Sequence, residues 1–74
     1  MKVDYLKFVQ WSDEDEIYVG YCPDLFIGGV CHGKDERKVY AELCSLVADE
    51  IKELNRRHQA IPQPQAMVAM AVAV

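Results

Sequence analysis

The sequence predicts one α+β domain of two layers, an antiparallel sheet with a single long helix on one face, in the order β-β-β-α-β. Three observations predict it. Short β-prone runs broken by turn residues fill the first half, an apolar pattern with steps of three and four follows Asp35, and an alternating apolar run closes the chain. With 74 residues there is room for one core, so residues 1–74 are read as a single domain. A composition 51% hydrophobic and 27% charged is that of a folded chain. So small a core supplies only about 3–5 kcal/mol, which makes self-association an expectation.

Residues 3–11 alternate, with Val3, Tyr5, Lys7, Val9 and Trp11 on one face and Asp4, Leu6, Phe8 and Gln10 on the other, as in a strand. A polar cluster at residues 12–16 separates it from a second β-prone run, residues 17–22, so the two are expected to pair as a hairpin. Pro23 lacks an amide hydrogen and ends that strand. The loop that follows bends at Gly28 and Gly29, and residues 30–32 make a short third strand punctuated by Gly33.

Asp35 is the expected N-cap of a helix whose core stripe is Val39, Leu43, Leu46, Val47, Ile51 and Leu54. Arg56, Arg57 and His58 complement the negative end of its dipole, and Pro62 lies just beyond. At about 22–24 residues it spans about 35 Å, so its far end overhangs a three-stranded sheet or finds another surface. After a connector with Pro62 and Pro64, residues 67–74 read as a fourth strand. Both faces of that strand are apolar. Val68, Met70, Val72 and Val74 are expected under the helix, and Met67, Ala69, Ala71 and Ala73 against another subunit or a partner.

The net charge is −4, and all of it lies before residue 25: Asp4, Asp13, Glu14, Asp15, Glu16 and Asp24 face only Lys2 and Lys7. The remaining fifty residues are balanced, six acids against six bases. This polarity disfavours a nucleic-acid surface and favours a basic partner. Cys22, Cys31 and Cys44 are odd in number and unpaired in spacing, and no signal peptide opens the chain, so reduced thiols in a cytoplasm are expected. The longest apolar stretch, residues 66–74, is far short of the about 20 residues a membrane helix needs, so no membrane association is expected.

Catalytic chemistry finds little footing. The Asp13–Glu16 cluster lacks the ligand spacing and glycine of a calcium loop and reads as a solvated hairpin tip or an ionic contact to a basic partner. Convergence of Asp4 and Asp24 on it as a two-metal nuclease would be accidental. The cysteines, with His32 and His58, are too scattered for structural zinc, and a Cys-His nucleophile pair lacks an orienting third group. Tyr5, Phe8, Trp11, Tyr18, Tyr21 and Phe26 resemble a base-stacking platform only in number, since phosphate-holding bases do not accompany them. No catalytic residue, metal or cofactor is therefore expected.

Tyr5-Leu6-Lys7-Phe8, the run Ile17-Tyr18-Val19-Gly20-Tyr21-Cys22-Pro23-Asp24-Leu25, Gly28 and Gly33 before the helix, and Ile61-Pro62-Gln63-Pro64 after it resemble the HicB antitoxin family over nearly the whole chain. The resemblance implies a partial RNase H-like fold without catalysis, which neutralises HicA, a small mRNA-cleaving toxin similar to a double-stranded-RNA-binding domain. Many family members carry a further DNA-binding segment. None is evident in these 74 residues, so direct operator binding is not expected of them. Two departures stand out. The usual Pro-Asp-Leu-Pro-Gly is here Pro23-Asp24-Leu25-Phe26-Ile27-Gly28, a change that exposes Phe26 and Ile27, and Lys38 replaces the acid of a capping box.

Two functions follow as expectations. In the first, the chain occludes a basic HicA-like toxin, with Asp13, Glu14, Asp15, Glu16 and Asp24 steering encounter and Tyr18, Phe26 and Ile27 burying at the contact. In the second, it is a stand-alone homo-oligomer, a dimer or higher, without a toxin.

Overall fold

Ser12 closes the first strand and Ile17 opens the second, and the four residues between them turn the chain through a bond from the Glu16 amide to the Ser12 carbonyl, 2.7 Å. Glu16 adopts φ 55°, the left-handed step that reverses a tight hairpin. The computed structural model describes residues 5–64, in which β1 (Phe8–Ser12), β2 (Ile17–Tyr21) and β3 (Cys31–Gly33) form one antiparallel sheet in the order β1-β2-β3. The helix α1 (Glu36–Arg56) packs on one face and touches all three strands. The α+β class and the β-β-β-α order are as expected. The expected fourth strand, with its interface residues Met67, Ala69, Ala71 and Ala73, lies outside the described residues.

Register assigns the two faces. Val9 pairs with Gly20 and Gly20 with Cys31, while Trp11 pairs with Tyr18 and Tyr18 with Gly33; these residues look toward α1. Phe8 opposite Tyr21, Gln10 opposite Val19 and Ser12 opposite Ile17 occupy the outer face. The expected first strand is shortened. Ladder pairing stops at Phe8–Tyr21 because continuing it would set residue 6 against Pro23, which has no amide hydrogen. Tyr5 is instead held by its side chain, buried to 1% exposure, with its hydroxyl donating to the Pro62 carbonyl. The third strand lies one residue later than expected, with Gly33 paired to Tyr18 instead of ending it and the Val30 amide bonding the Gly20 carbonyl at 2.8 Å just ahead of the ladder.

Asp35 caps α1 as expected, its Oδ1 accepting from the Lys38 amide at 3.1 Å, so the missing capping-box acid does not cost the helix its start. Val39, Leu43 and Val47 are the buried stripe, joined by Tyr5, Cys22 and Cys31, with Leu46, Ile51 and Ile61 packed at its margin. The stripe can approach because Gly20 has no side chain: a Cβ there would lie 3.0 Å from the Cys31 sulfur and 3.4 Å from Leu43. At the other end His58 takes φ 58°, its amide bonding the Asn55 carbonyl at 3.1 Å and that of Gln59 the Leu54 carbonyl at 2.9 Å. This is the double bond of a Schellman cap with histidine where glycine is usual. The connector then returns to the core through Ile61 and Pro62, while Leu54, expected in the stripe, does not join it.

Two substitutions should move stability in opposite directions. Leu43→Ala empties the centre of the core and should cost about 2–5 kcal/mol. His58→Gly relieves a left-handed β-carbon and should gain about 0.5–1 kcal/mol. Urea unfolding followed by circular dichroism measures both; a neutral Leu43→Ala would refute the packing described.

Candidate functional site

Two surface grooves meet at Gly29 and Val30. The first, of about 530 Å³, lies between the 26–30 loop, which contributes Phe26, Ile27, Gly29 and Val30, and the second half of α1, which contributes Leu46, Asp49, Glu50 and Glu53. The second, of about 320 Å³, runs along the outer face of the sheet from Val30, Cys31 and His32 past Val19 and Ile17 to Asp15 in the hairpin turn. Together they make a band, in larger part apolar, with Asp15 on its hairpin side and Asp49, Glu50 and Glu53 along its helix side.

Local backbone chemistry holds the loop in place. The amides of Leu25 and Phe26 both bond the Cys22 carbonyl, at 3.1 and 3.0 Å, and Val30 is tied to Gly20. Gly28 turns at φ 77°, where a side chain would be strained, and a Cβ on Gly29 would stand 2.8 Å from the Val19 methyl. These two glycines seat the loop against β2 and leave Ile27 fully exposed. Phe26 is half-buried and packs against the core cluster, contrary to the expected exposure of both residues, because the paired amide bonds to Cys22 turn it inward.

The acidic hairpin is divided by its own hydrogen bonds. Asp13 accepts from the Trp11 indole at 2.7 Å, on the strand whose Trp11 lies edge-on to Tyr18 at 4.9 Å, whereas Asp15 accepts from the Ser12 hydroxyl at 3.4 Å and faces the outer groove. Glu14 is exposed, and the Glu16 carbonyl accepts from Lys34 at 2.7 Å. Tyr18 looks toward α1 and packs against the core, so the structure separates it from Ile17 and Val19. Asp24 is half-buried on the Tyr5 and Cys22 side, where burial raises both their pKa values and its charge adds to the rise, and it lines neither groove. Of the eight residues expected at a contact, Asp15, Phe26 and Ile27 therefore share the band. The sequence reading missed Asp49, Glu50, Leu46 and Val19. The spacing of residues 46, 49, 50 and 53 marks a second helical stripe, but only the folded loop shows what lies beside it.

Among the described residues, no three His, Cys, Asp or Glu side chains converge as metal ligands, and no helix is long and apolar enough to cross a membrane. Burial pushes the thiols of Cys22 and Cys31 above their ordinary range; at Cys22 a backbone hydrogen bond with Leu25 and the Lys7 charge offset part of it, with Asp24 adding a smaller rise, and at Cys31 the Glu42 charge adds to burial against a weaker backbone hydrogen bond at Gly20. Both are thus neutral and unreactive near pH 7. The aromatics do not form one platform: Phe8 stacks on Tyr21 at 5.1 Å on the outer face, and Trp11 and Tyr18 lie on the other.

Comparison with protein-family models, with curated proteins and with solved structures gives no match.

Buried, raised thiols favour the fold only while protonated, so their contribution is complete below the ordinary thiol value of 9.0 and is lost as pH rises through the higher folded value. Melting temperature should accordingly fall above about pH 9. Iodoacetamide near neutral pH should label the half-exposed Cys44 first, leaving Cys22 and Cys31 protected until unfolding. Mass spectrometry of the digested protein reads the order, and early labelling of Cys22 would contradict its burial.

Proposed function

We propose that this chain is an antitoxin-type binding module of the HicB kind, which neutralises a small basic, mRNA-cleaving protein of the HicA kind by covering it. The observation that carries the reading is the band of half-buried apolar side chains around the exposed Ile27, flanked by the carboxylates of Asp15 on the hairpin and Asp49 and Glu50 on the helix. Carboxylates steer a cationic partner and an apolar centre retains it, a division in which charge sets the encounter rate and buried side chains set the lifetime. In this reading the chain itself is no enzyme and works in the cytoplasm. The finer fold belongs to the same proposal: a partial RNase H-like order β-β-β-α-β, with residues 67–74 as its last strand. Its support is the contact of Tyr5 with Pro62, which brings the connector beside the start of β1.

The test is co-expression of the full chain with the reading frame next to its own, followed by affinity purification and an mRNA-cleavage assay. Recovery of a basic partner whose cleavage is suppressed supports the proposal; purification of the chain with no partner from its native host opposes it. Given the complex, replacing Asp13, Glu14, Asp15 and Glu16 together by lysine should slow association about tenfold or more at low salt while changing dissociation little. Ile27→Asp should do the reverse, accelerating dissociation by about tenfold or more. Stopped-flow quenching of Trp11, the only tryptophan, follows both.

A second reading, self-association without a toxin, is favoured by the Phe8–Tyr21 stack on the sheet face opposite α1. Light scattering of the full chain across concentration decides it, a constant monomer mass being the outcome that removes it.

A further inference from the structure

We propose that the groove between the 26–30 loop and α1 receives an amphipathic basic helix of the partner protein, a step that presupposes the partner-covering function above and assigns it to one groove and one kind of element. The floor is apolar: Phe26, Val30 and Leu46 are half-buried there, and Ile27 stands fully exposed at the rim. The opposite wall is a row of carboxylates on successive positions of one helical stripe, Asp49, Glu50 and Glu53.

Their charges are not equivalent. Glu53 is already engaged, accepting from Arg56 at 2.5 Å and Arg57 at 2.8 Å, and those hydrogen bonds hold its carboxyl below the usual range. Asp49 and Glu50 make no side-chain hydrogen bond or ion pair among the described residues. The groove thus offers two uncompensated carboxylates beside an apolar floor, and the complementary ligand carries an apolar anchor flanked by Lys or Arg.

Charge selects among occupants. Phosphodiester backbones and anionic lipid headgroups would meet like charge at this wall, and a second copy of a chain with net charge −4 brings no basic surplus. A helix fits better than an extended strand, because the wall is itself a helix: side chains one turn apart on a helix laid alongside repeat at about the 5.4 Å pitch that separates Asp49 from Glu53. One turn of such a ligand would set a leucine over Phe26, Val30 and Leu46 and its basic neighbours toward Asp49 and Glu50, the anchor-in-groove mode of helix recognition.

The probe is a synthetic, amidated 16-residue helical peptide with leucines on one face and lysines and arginines beside them. Two controls keep its length: a sequence-scrambled version, and one with the bases replaced by glutamate. Titrated into the isotopically labelled full chain, the basic peptide should shift the amides of Ile27, Val30, Leu46, Asp49 and Glu50, and the glutamate version should not. The pair Asp49→Lys and Glu50→Lys should weaken binding about tenfold. Ile27→Ser should weaken it by at least as much, and because all three changes lie at the surface or groove rim, circular dichroism should report an intact fold. Shifts confined to residues 13–17, equal binding of the scrambled peptide, or no shift at millimolar peptide each overturn the groove assignment. All three leave the partner-covering function standing, since that falls only with failure to recover a basic partner. Concentration-dependent shifts without peptide would instead assign the groove to a second copy of this chain and overturn the proposal.

Discussion

The approach of Leu43 to Gly20 is the constraint on which the rest of the structure depends. A helix packs on a sheet at a distance set by the side chains between them, and here the central strand contributes none at Gly20. Leu43 sinks into that space, fully buried, with Val39 and Val47 one turn to either side. The chain leaving β2 turns back to its neighbour β3 along the flank of α1. That detour is the 22–30 loop, and the groove is the seam between the loop and the helix it skirts. The groove proposed to bind a partner is thus a seam set by loop and core geometry.

Much of this was legible in the residues and some could not be. Asp35 as cap, the Val39, Leu43 and Val47 stripe and the hairpin around residues 12–16 follow from spacing alone, since each depends on neighbours within one turn or one strand. The start of β1 was misplaced because alternation reports side-chain direction and says nothing about whether a partner strand is present. Pro23 held the missing fact, but only once the Phe8–Tyr21 register is known does it fall opposite the start of the strand. Phe26 was misjudged for a related reason. Its burial is decided by two amide bonds to the Cys22 carbonyl, a loop geometry that no periodicity encodes.

Electrostatics divided in the same way. The acidic first third was plain in composition, and its hairpin does stand in solvent. Composition assigned no charge to the balanced remainder, yet balance over fifty residues conceals local excess. Arg56 and Arg57 are spent on Glu53, which leaves Asp49 and Glu50 as an acidic patch in a segment of no net charge. Both ends of the band therefore repel anions although only one could be read from the chain, and a cation approaching from either direction meets attraction.

The exposure of Ile27 belongs to the same economy of a small fold. A solvent-facing isoleucine wins no burial energy in the free chain, and a mobile loop would hide it part of the time. This loop is not free to do so, being fixed at Cys22 by two amides, at Gly20 by a third, and against Val19 by a glycine that admits no side chain. Holding an apolar side chain out in a single arrangement lowers the ordering entropy lost when a partner covers it, which raises affinity without enlarging the contact. A core of this size can hold only a few such groups rigid. Placing one at the junction of two grooves, with carboxylates nearby, puts that rigid group where the proposed partner-covering function would use it.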